Sequence, residues 1–144
     1  MIELTEQPID FTAVTESVRT DAAGAVVLFM GTVREFTRDV QTSSLRYDAY
    51  PEMAVTAMQK LRTRARERWP LMRVSLVHRT GHLELGEIAV AVAVSAGHRR
   101  EAFEAGQWLI DTLKEEVPIW KQEHYAGGET EWIHPQSSEE ASPS

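Results

Sequence analysis

IAVAVAVSAGHRREAFEAGQWLIDTLKEEVPIWK, residues 88–121, decides how this chain folds. Between Ile88 and Ser95, Val90, Val92 and Val94 alternate with small alanines. A period of two belongs to a strand, and the alternation suits a sheet covered on one face by a closely packed helix. The covering helix follows at once. From Arg99 onward Ala102, Ala105, Gly106, Leu109, Ile110 and Leu113 recur at helical spacing, small residues first, which allows close approach to the sheet. Pro118 stops the helix near Glu116, because proline lacks an N–H and clashes with the turn before it. Cations stand at both ends. His98, Arg99 and Arg100 occupy the start, where the helix dipole disfavours positive charge unless an anion joins it; they read equally as plain exposed polar residues beginning a helix. Lys114 and Lys121 lie near the other end and are two of only three lysines, against twelve arginines. Lysine is the cation that can lose its proton.

Working outward, residues 1–4 read as a short strand, and Asp10 as the N-cap of a short helix carrying Phe11, Val14 and Val18. Ala25–Met30 is a continuous apolar run, the pattern of a strand buried on both faces. Thr32-Val33-Arg34 leads from it into residues 35–43, a polar connection long enough to be mobile. Residues 44–50 alternate as a half-exposed strand. Pro51 then starts a helix to about Arg68, with Ala54, Ala57, Met58, Leu61 and Ala65 as its buried stripe and Trp69-Pro70 as its stop. Residues 73–78, 82–86 and 130–134 read as further extended pieces, and Gly127-Gly128 as a turn. The result is one α+β domain, residues 1–136, with mostly antiparallel sheet and three main helices, followed by a polar, acidic, disordered tail at 137–144.

Bulk properties narrow the function. The 144 residues carry a net charge of −7, which argues against a nucleic-acid binder relying on phosphate neutralisation. The arginines between Lys60 and Arg68 fall two apart and spread around a helix rather than forming a patch. No apolar run approaches the roughly 20 residues of a membrane span, and the N-terminus lacks the pattern of a signal peptide, so the expected compartment is the cytoplasm. There is no cysteine, hence no thiol nucleophile and no persulfide carrier. Any sulfur would have to arrive on a partner.

No metal site is expected, since His78 and His82 are separated by a strand and a glycine turn and share no helical face. Neither a phosphate-binding glycine loop nor a serine elbow occurs. The apolar Val117-Pro118-Ile119-Trp120 between the two lysines would desolvate an ammonium group and lower its pKa, the way enzymes obtain a lysine base or nucleophile. Lys114 also reads as a capping cation in the last helical turn, and position alone does not make it reactive. Pro118 breaks the helix between them, so any convergence of Lys114 and Lys121 must come from the turn.

Taken in order, Gly31-Thr32-Val33-Arg34, Tyr47-Asp48-Ala49-Tyr50-Pro51-Glu52-Met53-Ala54, His78-Arg79-Thr80-Gly81, Gly86-Glu87, Ser95-Ala96-Gly97-His98-Arg99, Leu113-Lys114 and Val117 through Glu123 resemble the large, catalytic subunit of molybdopterin synthase. The ordered set spans most of the chain. The resemblance implies a hammerhead-like α+β domain and a sulfurtransferase. Sulfur would pass from the C-terminal Gly-Gly thiocarboxylate of a small ubiquitin-like subunit to cyclic pyranopterin monophosphate, with no cofactor, in a homodimer within a heterotetramer. It also implies that His98 and Arg99 hold the substrate's anionic face, that Thr32, Val33 and Arg34 complete the pocket, either in the same chain or from the other protomer of the homodimer, that Lys114 and Lys121 are catalytic, and that Gln122 and Glu123 lie beside the substrate. It assigns nothing to Arg100 or to residues 35–43. Two rivals share these residues: a non-enzymatic anion-binding or assembly module, and a lysine Schiff-base enzyme acting alone.

Overall fold

Strand β7 (Ile88–Ala96) runs through the middle of a four-stranded sheet, and its alternation sorts the whole interior. Val90, Val92 and Val94 face the larger core, built with helices α2 (Pro51–Arg68) and α3 (Arg99–Glu116). Ala91 and Ala93 face the other way, against Val14 and Val18 of helix α1 (Phe11–Val18). Both faces of this strand are therefore covered, where the sequence pattern pointed to one. The valines fill space toward two long helices, while the alanines let the short α1 approach.

The computed structural model describes residues 1–37 and 39–133. The first sheet has the order β1 (Ile2–Thr5), β5 (Leu71–Arg79), β7, β2 (Ala25–Thr32), with β1 parallel to β5 and the other pairs antiparallel. The second sheet is antiparallel and has five strands. It runs β3 (Phe36–Thr37), β4 (Val40–Ala49), β8 (Ile119–Tyr125), β9 (Thr130–Ile133), and β6 (Gly81–Glu84) also pairs with β4. One α+β domain with three helices and mostly antiparallel sheet is what the sequence led us to expect.

The helix boundaries follow local chemistry. Asp10 caps α1 by accepting from the Ala13 N–H at 3.0 Å, and Pro51 stands at the first turn of α2. Ala102, Ala105, Gly106, Leu109, Ile110 and Leu113 are all buried along α3, which ends at the residue pair before Pro118. The start of α3 is tied to β2: the Gly24 N–H donates to the Ala96 carbonyl at 3.0 Å. A Cβ at Gly24 would stand 2.5 Å from the Gly97 carbonyl oxygen, so no larger residue fits this junction.

Three details depart from the sequence reading. Strand β2 is an edge strand, and Val26, Phe29 and Met30 are exposed there rather than buried on both faces. Residues 35–43 are not an open connection: β3 folds back on β4, pairing Phe36 with Gln41, and Asp39 adopts a φ of 68°, a left-handed angle that Asp tolerates. Ile119–Tyr125, read only as the sequel to a turn, is a full strand paired on both sides. His134 and the tail at 137–144 lie outside the described residues. Among the described residues no helix is long and apolar enough to cross a membrane.

Candidate functional site

The two sheets and the C-terminal half of α3 enclose a cleft of about 260 Å³. Its walls come from Phe29, Gly31 and Thr32 of β2, the following Val33 and Arg34, the inward side of β4 and β8, and Ile110, Leu113 and Lys114 of α3. Val33 is pinned by its own backbone, its N–H donating to the Glu87 carbonyl at 3.0 Å and its carbonyl accepting from Gly86 N–H at 2.8 Å. This fixes where β2 ends. Arg34 then stands, exposed, at the lip.

Strand β8 supplies the centre. Its alternation turns Lys121 and Glu123 into the cleft and Gln122 and His124 out of it. Glu123, 4% exposed, is an ion-pair partner of Lys121, with Nζ to Oε1 at 3.2 Å. Burial pulls the Lys121 pKa below its ordinary value; Glu123 opposes this, and the charges of Lys114 and Arg34 add to the lowering. Lys114, Lys121 and Arg34 are thus close enough to feel one another within one chain. The convergence is made by the strand that follows Pro118, not by the turn alone.

Deeper in the cleft, burial and then Glu123 push the Tyr47 phenol up to about 12. The ring of Tyr47 meets His78 edge-on at 4.8 Å. His78 is buried, and burial lowers its pKa to about 4. The neutral ring donates from Nδ1 to the Arg79 carbonyl at 2.7 Å, which leaves Nε2 as the acceptor nitrogen. Neither residue stands out as a site residue in the sequence. The signal was present in Tyr47, which alternates in phase with Leu45 on β4.

The other expected residues fall elsewhere. His98, the N-cap of α3, and Arg99, its first residue, are exposed, and Arg99 lies about 22 Å from Lys114 along a helix rising 1.5 Å per residue. Gln122 is on the outer face of β8, its Oε1 hydrogen-bonded to His124 Nε2 at 3.0 Å. Within one chain the cleft therefore gathers Thr32, Val33, Arg34, Lys114, Lys121 and Glu123, and not His98, Arg99 or Gln122. Among the described residues no group of three or more His, Asp or Glu is placed to hold a metal ion.

The domain is thus a two-sheet α+β fold whose cleft holds a lysine–glutamate ion pair beside two further cations, the kind of concave, charge-perturbed place where functional sites are sought. Residues 4–116 match the family model described as MoaE protein, and the chain belongs to that family. It is 44% identical over 128 residues to the molybdopterin synthase catalytic subunit of Halalkalibacterium halodurans, covering 89% of this chain and 81% of the relative. The fold matches molybdopterin synthase from Staphylococcus aureus with a TM-score of 0.87 at 39% identity, over 92% of this chain and 96% of that one. It also matches a protein–protein complex of subunits 1 and 2 of the molybdopterin-converting factor from Helicobacter pylori, with a TM-score of 0.74 at 22% identity, over 93% of this chain and 90% of that one.

Proposed function

We propose that this chain is the catalytic subunit of a molybdopterin synthase, working in the cytoplasm. It moves sulfur from the thiocarboxylated Gly-Gly terminus of a small ubiquitin-like subunit to cyclic pyranopterin monophosphate, forming a dithiolene. The observation that carries this reading is Lys121: a mostly buried amine, lowered in pKa by that burial, ion-paired with Glu123 and placed beside Lys114 and Arg34 in the cleft. A cleft that takes both a phosphate and a thiocarboxylate needs several fixed cations in an otherwise acidic protein. In this reading Lys114 steers the thiocarboxylate and assists attack on its carbonyl side, while Lys121 transfers a proton as the cyclic phosphate opens. Thr32, Val33 and Arg34 shape the entrance. Sulfur is brought by the partner, so no cofactor is required, in keeping with a chain that has no cysteine.

The substrate's anionic group is assigned to His98 and Arg99 of a second copy. Their distance from Lys114 along one helix supports a homodimer that would bring both sets together, and one small subunit per copy would make a heterotetramer. The Helicobacter pylori structure that shares this fold is a complex of subunits 1 and 2 of the molybdopterin-converting factor.

The test is reconstitution with thiocarboxylated small subunit and cyclic pyranopterin monophosphate, with molybdopterin as the readout. Lys114→Ala is expected to lower the rate about 100-fold or more while the melting temperature stays near that of the parent chain. A parent chain that binds both partners yet makes no molybdopterin would reduce the cleft to a binding module. Borohydride trapping of a carbonyl compound on Lys114 without any partner would make it a Schiff-base enzyme instead.

A further inference from the structure

Strand β4 lines the cleft with Leu45 and Tyr47, while Arg46 and Asp48 point away and are exposed. Continued at period two, that alternation would send Thr42 outward together with Ser44. The register shifts between Thr42 and Ser44, a β-bulge, and Thr42 instead joins Leu45 and Tyr47 on the cleft wall. Bulges re-aim side chains in this way beside active sites. Thr42 is 2% exposed, and its Oγ1 is buried with no hydrogen-bond partner. An unpaired buried hydroxyl is a cost that native folds seldom retain without a use. Nothing in the packing requires it: Val has the same branched shape and no polar atom.

The cleft therefore has two kinds of lining. Arg34, Lys114 and Lys121 are cationic, whereas the Thr42 hydroxyl and the acceptor Nε2 of neutral His78 are uncharged hydrogen-bonding groups on the same walls. Cations hold anionic groups regardless of what carries them; uncharged donors and acceptors distinguish ring edges. We propose that Thr42 is a specificity-determining contact of this cleft, its hydroxyl hydrogen-bonding the polar edge of the substrate's heterocycle while the cations hold its anionic groups. The assignment rests on the substrate class proposed above, and it gives a role to a segment that the motif pattern left without one.

Thr42→Val and Thr42→Ser test it in the reconstituted complex. Thr42→Val is expected to raise KM for cyclic pyranopterin monophosphate roughly tenfold, the size of one lost buried hydrogen bond, with kcat much less affected. Its melting temperature should equal or exceed that of the parent chain, because an unsatisfied polar atom has been removed. Thr42→Ser should keep KM within about twofold. A Thr42→Val protein with unchanged KM, or one whose melting temperature and kcat fall together while Thr42→Ser restores both, overturns the inference, the hydroxyl being idle in the first case and structural in the second. A parent complex that forms no molybdopterin overturns the proposed function itself, a separate outcome read from the same assay.

Discussion

His78 shows how one buried side chain ties the site to the acid stability of the protein. Burial lowers its pKa from 6.5 to about 4 in the folded chain. In the unfolded chain the ring takes its proton near pH 6.5, so between these values the unfolded state binds more protons than the folded one. The stability is fully present above pH 6.5 and is lost as the pH falls toward 4, by about 3 kcal/mol from this group alone. Urea unfolding followed from pH 7 to pH 4 should show that decline, and His78→Gln should flatten it whatever its effect at neutral pH. A variant with the parent slope would transfer the acid sensitivity to other groups. Lys121 works in the opposite range. Its lowered pKa means that the charged form is disfavoured by folding, and relief comes only as the pH rises from that lowered value to 10.5. The ion pair with Glu123 opposes that penalty.

Among the elements, α3 supplies Lys114 and part of the cleft wall, and the segment leading into it passes so close to Gly24 that a Cβ there would meet the Gly97 carbonyl oxygen. Gly24→Ala sets a Cβ against a backbone oxygen, which cannot rotate away. The expected cost is about 1–3 kcal/mol, measured as a lowered melting temperature. Reduced molybdopterin formation should follow, since the start of α3 shifts with β2. Helix α3 was legible because its apolar stripe, its small residues and Pro118 all agree. Lys114 and Lys121 stand out for the same reason, flanking Pro118, but pattern alone leaves them as either capping or reactive cations, and their assignment to a site comes from the family resemblance.

Strand β8 was not legible as a strand, and the cause is physical. Its inward positions Lys121 and Glu123 are charged because they face a cleft instead of a core, so the usual apolar/polar alternation is absent. Gln122, expected beside the substrate from the resemblance, falls on the opposite face of the strand from Glu123, which only the strand's alternation reveals. For β2 the apolar run Ala25–Met30 was read as doubly buried, but an apolar run does not tell a central strand from an edge one; here β2 is the edge. The hairpin of β3 and β4 carries none of the Asn-Gly or Asp-Gly dipeptides that announce a two-residue turn.

For the whole molecule, the proposed dimer makes a prediction that no single chain can satisfy. If His98 and Arg99 serve the cleft of the other copy, Arg99→Ala and Lys114→Ala proteins, each nearly inactive, should recover activity when exchanged into mixed dimers. Equal mixing places one intact site in half of the dimers, so about a quarter of the parent activity is expected. No recovery after verified exchange would put all the working residues in one chain. The outward and inward faces of β8 carry a last consequence. A slip of one residue in its pairing with β4 would exchange Lys121 and Glu123 for Gln122 and His124 throughout the cleft. Such a chain would keep its composition, its helices and much of its compactness, yet lose the ion pair altogether. Catalytic competence is thus a report on strand register, and specific activity distinguishes correctly paired molecules from near misses that a far-UV spectrum would score as folded.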